Sequence, residues 1–344
     1  MKTSVTIKDI AEQLNLSRNT VAKALNGKYV PEATRVRVLN KAIELNYKSL
    51  NTKIVEKKEE KYRILLLACQ PLNNIRFFYP IIKEIENYCF INKHDLFQYT
   101  YNASNSTFDA LKDYIESLSI DGIIAIESFD YSFINKLFKL NIPISFIDCC
   151  TNYSSFQGSY DIIETSNFTP IFEITKSLIS QYNLKHFSYV GDETHCLSFQ
   201  RRYYGMLCGL SSMGLTHSKD EDILKSDNFD YGNIEMLKSA IVNLSNKTDC
   251  FICGNDFIAR SVCKALESFG KSIPNDVLIV GFDNVPESIA SHPKITSVGT
   301  DSKAIGNKSI VTLINRIQNP NSVPILYTVN STIVYRESTQ KEFK

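Results

Sequence analysis

Residues 5–27 read VTIKDIAEQLNLSRNTVAKALNG, and this stretch determines how the N-terminal part of the chain is interpreted. In its first half, apolar residues recur at intervals of three and four positions, a pattern typical of one buried face of a helix. That face comprises Ile7, Ile10, Ala11 and Leu14. Thr6 precedes it and Asp9 follows three residues later, which is a loose form of the capping box that begins helices. A first helix is therefore predicted to begin immediately after Thr6.

A second helix is predicted to begin after Ser17, because a serine hydroxyl can accept a hydrogen bond from the backbone N–H groups at a helix N-terminus. The pair Asn26 and Gly27 is typical of a helix C-terminus, so the second helix is predicted to end there. Its inward-facing side chains are expected to be Val21, Ala24 and Leu25.

A third helix is predicted over residues 31–46, since the proline at position 31 suits the first turn of a helix. Two short helices joined by a turn of about four residues, with a third helix behind them, form a helix-turn-helix. Proteins with this motif insert the N-terminal end of the second helix into the major groove of DNA. The inward-facing side chains of the third helix are expected to be Val36, Leu39, Ala42 and Ile43.

Three side chains of the predicted second helix are placed to reach DNA bases: Arg18, Asn19 and Lys23. Arginine can form two hydrogen bonds with guanine, and asparagine can do the same with adenine. The spacing alone also allows a simpler interpretation, in which these residues form the solvated surface of a small helical segment.

The total charge of the 344-residue chain, +1, argues against nucleic-acid binding, because such proteins usually carry a basic excess. The charge is unevenly distributed, however. Residues 1–61 contain 13 basic and 7 acidic side chains, a net charge of +6, whereas the remaining 283 residues contain 25 basic and 30 acidic side chains, a net charge of −5. A small basic region attached to a large acidic one favours nucleic-acid contact by the basic region.

Three segments together resemble the N-terminus of the lactose/galactose repressor (LacI/GalR) family of transcriptional regulators. They are residues 5–27, the run TRVRVL at 34–39 and the tripeptide LNY at 45–47. The resemblance implies that Arg18, Asn19 and Lys23 read DNA bases. It also implies contacts to the DNA phosphates or backbone from Thr6, Ser17, Thr20, Asn26 and Thr34. Ala22 stands where the family mostly has serine, so one polar contact of the family is expected to be missing.

Residues 48–61 read KSLNTKIVEKKEEK, a charge-dense stretch typical of a solvated linker. The resemblance implies instead a hinge helix that orders on DNA and wedges a leucine into the minor groove, which kinks the duplex. This chain departs from that pattern, because Ser49 replaces the usual proline and Glu56 stands at the expected leucine position. Either the kink is absent, or the wedge is provided by Leu50, Ile54 or Val55.

From residue 63 onward, short apolar runs alternate with amphipathic stretches, which predicts parallel sheets covered by helices on both faces. Strands are predicted at 64–68, 122–126, 144–147, 187–190, 251–253 and 277–280, and a helix at 78–91. Because 283 residues exceed one ordinary domain, two doubly wound lobes are predicted. The first is expected over about residues 62–161 and 293–325, and the second over about 162–292 and 326–344.

The predicted fold class is thus α/β. A three-helix head (1–47) and a linker (48–61) precede the two lobes, which the resemblance identifies as a periplasmic-binding-protein-like core for effector binding and dimerisation.

Polar residues follow four of the predicted strands at their carboxyl ends, where ligands bind to doubly wound sheets. Any one of them is more commonly a turn or a helix cap, but four in succession favour a polar cleft. They are Asp148, Asp192, the run Gly254-Asn255-Asp256, and the run Gly281-Phe282-Asp283-Asn284.

The resemblance extends to three segments around these positions, at 198–205, 255–259 and 273–284. It implies that Arg202, Asn255 and Asp283 form hydrogen bonds with a small polar effector, and that Asp148 and Ser198 support them. Guanidinium and carboxylate groups suit the hydroxyls of a sugar, the first class expected, or of a nucleoside.

The chain contains no tryptophan, so stacking on an effector ring would require phenylalanine or tyrosine. Phe78 is the first candidate, and Tyr79 and Phe199 are further candidates. Packing in a core is an equally good interpretation of residues 77–79. The family's usual Asp-Asn pair reads Ser166-Asn167 here, and a common glycine is Pro170.

Other function classes find little support in the sequence. It contains no GxGxxG after a strand, no GxxxxGK[ST], no HExxH and no GxSxG, so no catalytic residue, cofactor or metal site is expected. No signal peptide or transmembrane span is predicted, which implies a cytoplasmic location with reduced cysteines and no membrane partner. Cys250 and Cys253 have CxxC spacing without a second pair, and core packing is the preferred interpretation.

The sequence therefore predicts a DNA-binding regulator, in particular a repressor, that binds a pseudo-palindromic double-stranded operator as a homodimer. The nine residues after Tyr335 contain no heptads, which favours a dimer over a tetramer. Two alternatives stay open: a small-molecule enzyme on an α/β scaffold, and a sugar-binding protein with an incidental basic N-terminus.

Overall fold

The computed structural model describes residues 5–26, 28–45, 47, 60–69, 75–102, 104, 106–225 and 229–341. The chain divides into two compact units, Met1–Lys61 and Tyr62–Lys344. The predicted hinge residues Leu50, Ile54 and Val55 lie outside the described residues, as do Gly27, Ser49 and Glu56.

The first unit contains helices α1 (Ile7–Leu14), α2 (Arg18–Leu25) and α3 (Glu32–Glu44), and these three helices form the head. Both halves of the predicted capping box form at the start of α1: the backbone N–H of Thr6 donates to Asp9 Oδ2 at 2.7 Å, and the N–H of Asp9 donates to the Thr6 hydroxyl at 3.4 Å. Asn15 ends α1 with a φ of +53°, a left-handed conformation that asparagine tolerates and that turns the chain toward α2.

A small apolar core holds the three helices of the head together. Its fully buried members are Ile10, Ala11, Val21, Ala24, Val30, Val38 and Ala42. The prediction that Val36 faces inward was wrong, because its side chain is exposed and Val38 is buried instead. Two residues along a helix correspond to about 200° of rotation, so Val36 lies on the opposite side of α3 from Val38.

The second unit alternates strands and helices along the described chain. In order they are β1 (Arg63–Cys69), α4 (Ile75–Ile91), β2 (Asp95–Tyr101), α5 (Phe108–Leu118), β3 (Gly122–Ile126), α6 (Tyr131–Phe138), β4 (Ile144–Ile147), β5 (Tyr160–Thr165), α7 (Phe168–Tyr182), β6 (Phe187–Val190), α8 (Leu197–Ser212), α9 (Ile234–Ile241), β7 (Cys250–Cys253), α10 (Asp256–Ser268), β8 (Leu278–Asp283), α11 (Pro286–Ala290), β9 (Thr296–Thr300), α12 (Ser302–Gln318), β10 (Leu326–Val329) and β11 (Ser331–Val334).

The first lobe is built on a parallel sheet with the strand order β10-β5-β4-β3-β1-β2. Successive side chains of a strand point to opposite faces, and β1 shows the effect. Leu65 and Leu67 pack with residues of α5 and α6, whereas Ile64 and Leu66 pack with residues of α4 and α12. Both faces of the sheet are therefore buried, as the continuous apolar runs predicted.

The second lobe is built on a sheet with the strand order β11-β9-β8-β7-β6, in which only the pairing of β11 with β9 is antiparallel among the described strands. Residues of α7 and α8 cover one face of this sheet, and residues of α9 and α10 cover the other. The α/β fold with two doubly wound lobes is thus the architecture of the second unit.

The chain passes between the two sheets at other points than those predicted. Strand β5 stays in the first sheet as far as Thr165, beyond the expected boundary at 161. Strand β9, expected in the first lobe, pairs with β8 in the second sheet, and β10, expected in the second lobe, pairs with β5 in the first. The predicted boundaries fail because sheet membership is decided by pairing between strands far apart in the sequence. Strand β9 pairs with β8, and β10 pairs with the open edge of β5.

No helix in the described ranges has both the length and the apolar character needed to cross a lipid bilayer.

Candidate functional site

The exposed face of α2 displays the three side chains predicted to read bases. Arg18, Asn19 and Lys23 are exposed, while Val21 and Ala24 of the same helix are buried in the head core. The hydroxyl of Ser17 caps the helix by accepting a hydrogen bond from the N–H of Thr20 at 3.0 Å. The helix can therefore present its first turn to a groove without losing its packing against α1 and α3.

Three of the five predicted phosphate-contacting residues lie at helix N-termini, where free N–H groups and the helix dipole favour anions. Thr6 caps α1, Ser17 caps α2, and Thr34 lies in the first turn of α3. Thr20 lies beside Ser17, with 2.8 Å between their hydroxyl oxygens, and Asn26 caps the C-terminus of α2. In the sequence, these five residues lie before, within and after α2. Their contacts to DNA stay a prediction.

In the second unit, the six predicted effector-binding side chains line one cleft of about 620 Å³, measured out to its open mouth. They are Phe78, Asp148, Ser198, Arg202, Asn255 and Asp283. Asp148 follows β4, Asn255 follows β7, and Asp283 ends β8, so the cleft lies at the carboxyl ends of strands from both sheets. The fold brings together residues that are separated by more than 200 positions in the sequence.

Two of these acidic residues, and a third that the sequence did not single out, adopt left-handed backbone conformations. The φ angles are +52° at Glu127, +60° at Asp148 and +95° at Asp283. Residues other than glycine seldom adopt such angles, and the cost is of order 1–3 kcal/mol each, so the surrounding structure must hold them. Strained backbone of this kind is typical of sites that bind ligands.

Arg202, on α8, is almost fully buried at the base of the cleft. Its Nε atom donates to Asn167 Oδ1 at 2.9 Å, and Nη1 donates to the carbonyl of Gly254. Its guanidinium carbon lies 3.5 Å from the centroid of the Phe282 ring, and Nη2 lies 3.6 Å from Asp283 Oδ1. The guanidinium is therefore fixed in place by four groups of the protein.

Asp148 and Ser198 link the two lobes across the cleft. The Oδ1 atom of Asp148 accepts hydrogen bonds from the N–H of Cys149 at 2.8 Å and from the N–H of Ser198, on α8, at 3.3 Å. Asn255 is both a helix cap and a cleft residue. Its Oδ1 atom accepts a hydrogen bond from the N–H of Ile258 at 2.9 Å at the start of α10, and its side chain also lines the cleft.

The aromatic candidates separate into different environments. Phe78 lines the cleft together with Phe77 and Phe129, whereas Tyr79 is 57% exposed and is not among the lining residues. Phe199 packs over Gly254, where a Cβ atom would lie 2.6 Å from the ring. A ring stacked by Phe78 or Phe129 is thus compatible with the structure, and Tyr79 is not placed for that purpose.

The sequence prediction missed Glu164, a lining residue on β5 that is 2% exposed. Its Oε1 atom accepts hydrogen bonds from Nη1 of Arg201 and, at 3.0 Å, from the hydroxyl of Thr328. Burial raises the pKa of Glu164 to about 7, and the nearby Arg201 only partly opposes that rise. In the sequence, Glu164 is an acidic residue next to the apolar pair Ile162-Ile163, which could have marked it as a candidate. Its role depends on partners that are far away in the sequence.

Asn167, noted in the sequence as a departure from the family pair, is also a lining residue. Its amide donates to the carbonyl of Thr165 at 2.7 Å and its oxygen accepts from Arg202. The described residues gather no group of three or more histidine, cysteine or acidic side chains that could hold a metal ion. All nine cysteines are unlinked, with Cys250 and Cys253 buried on β7.

Comparison with known proteins gives relatives along the whole chain. A model of the periplasmic binding protein-like domain matches residues 180–339. The HTH-type transcriptional repressor PurR of Aliivibrio salmonicida is 25% identical over 344 residues, which cover 98% of this chain and 99% of the relative. The ribose operon repressor of Haemophilus influenzae is 24% identical over 336 residues, covering 97% and 98%. The chain is thus similar over nearly its whole length to transcriptional repressors.

Solved structures similar to this chain include a complex of the transcriptional regulator CelR with cellobiose, with a TM-score of 0.70, 17% identity, and coverage of 97% of this chain and 99% of CelR. A lac repressor dimer bound to operator and the anti-inducer ONPF has a TM-score of 0.67, 18% identity, and coverage of 98% and 100%. Both likenesses concern the fold. Since the named ligands differ among these proteins, the similarity leaves the effector of this chain open.

Proposed function

We propose that this chain is a cytoplasmic transcriptional repressor that binds a pseudo-palindromic operator as a homodimer. We further propose that its affinity for the operator changes when a small polar effector occupies the cleft. The observation that carries the proposal is the similarity to named repressors over nearly the full chain, combined with an exposed α2 that displays Arg18, Asn19 and Lys23.

The charge distribution supports the DNA-binding part of the proposal. The head and linker carry a net charge of +6, while the second unit carries −5. Phosphates attract the first and repel the second, so contact should be confined to the head, and binding should weaken as salt releases the bound counterions. The base contacts themselves would come from α2, and three helix N-termini would orient the head on the backbone.

The cleft supports the effector-binding part. It combines apolar walls, including Phe78 and Ile147, with a fixed guanidinium and several carboxyl groups. Such a mixture suits a molecule with one apolar face and several hydroxyls, which describes a sugar first and a nucleoside second. An effector can change operator affinity only if it binds one of two states of the protein more tightly than the other.

The direct test is a mobility-shift titration of the purified protein on the DNA upstream of its own gene, at two stated salt concentrations, with a scrambled duplex as control. Preferential binding to a duplex that contains a segment of two-fold sequence symmetry supports the proposal. Chemical turnover of a sugar or nucleoside without preference for any DNA would instead support the enzyme alternative. Sugar binding without DNA binding would support the binding-protein alternative. The proposed homodimer is tested separately by measuring the molecular mass in sedimentation.

A further inference from the structure

One of the residues that line the cleft has a buried carboxylate oxygen without a hydrogen-bond partner among the described residues. Both hydrogen bonds to Glu164, from Arg201 and Thr328, end on its Oε1 atom. Within the described part of the chain, Oε2 has no hydrogen-bond partner, although the side chain is 2% exposed. A buried carboxylate oxygen that lacks a donor is costly, and a ligand O–H or N–H group at that point would remove the cost.

The charges around the cleft are unevenly matched. Four acidic residues line it, namely Glu127, Asp148, Glu164 and Asp283, whereas Arg202 is the single basic residue among the described lining residues. The guanidinium of Arg202 is already engaged by Asn167, the Gly254 carbonyl, the Phe282 ring and Asp283. Its positive charge already lies beside the carboxylate of Asp283, so it is partly offset before any ligand binds.

An anionic group on a ligand would therefore meet more acidic than basic side chains in a partly desolvated site. Like-charge juxtaposition of that kind costs several kcal/mol at protein interfaces. A hydroxyl or an amino group in the same place meets the opposite situation, since carboxylate oxygens only accept hydrogen bonds when ionised.

We propose that Glu164 is the specificity-determining residue of the cleft: its Oε2 atom accepts a hydrogen bond from an O–H or N–H group of the effector, and the effector carries no phosphate or carboxylate. The inference rests on the proposed function, in that the cleft is taken to bind an effector. Neutral sugars, amino sugars and nucleosides satisfy it, whereas sugar phosphates, sugar acids and nucleotides do not.

The first experiment measures the preference of the full-length protein for matched ligands, by thermal shift and then by calorimetry. The probes are ribose with ribose 5-phosphate, glucose with glucosamine, glucose 6-phosphate and glucuronate, cellobiose, and adenosine with adenosine monophosphate. We expect binding by a neutral or amino compound and at least about tenfold weaker binding by its anionic counterpart, the equivalent of about 1.4 kcal/mol. An anionic compound that binds as tightly as its neutral counterpart overturns the proposal, and a set without any binder at millimolar concentration counts against it.

The second experiment asks whether Glu164 causes the preference. At pH 8, where most of the wild-type Glu164 is ionised, Glu164→Gln removes a repulsive charge, so the ratio of neutral to anionic affinity should fall several-fold. Glu164→Ala should weaken the binding of the neutral ligand about tenfold or more. Glu173→Gln makes the same chemical change at an exposed position of α7 and should leave both quantities unchanged. A residue that only supported the fold would lower both affinities alike, and an unchanged ratio in Glu164→Gln refutes the assigned role.

Operator binding is measured separately on the same preparations by mobility shift. A protein that binds its operator but prefers anionic ligands refutes this inference and leaves the proposed function intact. A protein that binds a neutral sugar but no operator refutes the proposed function and leaves this inference intact.

Discussion

The Nε atom of Arg202 donates a hydrogen bond to Oδ1 of Asn167 at 2.9 Å, and the two residues belong to different parts of the cleft wall. Asn167 stands between β5 and α7, where the chain leaves the first sheet for the second. Arg202 lies on α8 and also binds the Gly254 carbonyl. The guanidinium that would meet the effector is therefore positioned at the passage between the lobes, so ligand contacts there can be coupled to the relative arrangement of the lobes.

Replacement of Arg202 by alanine should abolish the effector response while operator binding in the absence of effector is kept. The substitution removes the fixed donors from the cleft but changes nothing in the head. The measurement is a mobility-shift titration with and without the ligand that binds the wild-type protein most tightly. Arg202→Lys should not restore the response, because a lysine cannot reproduce the planar, multiply bonded guanidinium. A full response in Arg202→Ala would show that the effector is held elsewhere.

Replacement of Arg18 by alanine should relax the base preference at one position of each operator half-site, at a cost of about 1–3 kcal/mol against the preferred base. The expected partner is guanine, which arginine contacts through two hydrogen bonds. The check is binding to a set of duplexes in which each operator position is varied in turn. Lys8→Ala removes the same charge from α1 and should weaken binding evenly, if at all. An even loss in Arg18→Ala as well would make Arg18 a phosphate contact.

The head could be predicted from the sequence because its determinants are local. The cap at Thr6, the cap at Ser17 and the turn at Asn15 each depend on residues within four positions along the chain. The buried face of α3 is predicted wrongly at Val36 because the helix has two valines, Val36 and Val38, on opposite sides. Only the packing of Val38 against α1 and α2 distinguishes them.

The lobes could be predicted as sheets, but not the order in which the chain visits them. Strands β3, β4 and β6 consist mainly of apolar residues, and the predicted ranges agree with the observed ones to the residue. Strand β10 has mixed polarity, and nothing in its four residues says which sheet it joins. The same limit hid Glu164, because its partners Arg201 and Thr328 are 37 and 164 residues away.

The return of the chain to the first sheet depends on a buried ion pair between α12 and β5. Arg316 donates to both carboxylate oxygens of Asp161, and its Nη2 atom also donates to the carbonyl of Val323 at 2.9 Å, just before β10. Arg316→Met would leave Asp161 buried without its partner, and we expect a loss of about 3–5 kcal/mol in the free energy of unfolding. Lys303→Met, on the exposed side of α12, should change it by no more than about 0.5 kcal/mol. Denaturant unfolding of both variants provides the comparison, and equal stability would show that the pair does not hold β10 in place.

The free energy of unfolding should also fall as the pH rises from about 5 to about 8. Burial raises the pKa of Glu164 to about 7, and burial together with Asp283 raises the pKa of Asp256 to about 7, whereas both groups have ordinary values near 4 when the chain is unfolded. Between those values the folded state holds more protons than the unfolded state. Stability is therefore fully present below the unfolded pKa and is lost as the pH passes through the folded pKa.

Glu164→Gln should make this pH dependence shallower, because glutamine does not ionise and one of the two groups no longer titrates. The remaining slope is expected from Asp256, whose side chain accepts hydrogen bonds from Ser297 at 2.7 Å and from the N–H of Val285 at 3.0 Å. Urea unfolding at a series of pH values without ligand measures the slope, with Glu173→Gln as the control that should keep the wild-type slope. If the slope of Glu164→Gln matches that of the wild type, the carboxyl group of Glu164 is ionised throughout this range. In that case Arg201 compensates its burial more fully than the raised pKa implies.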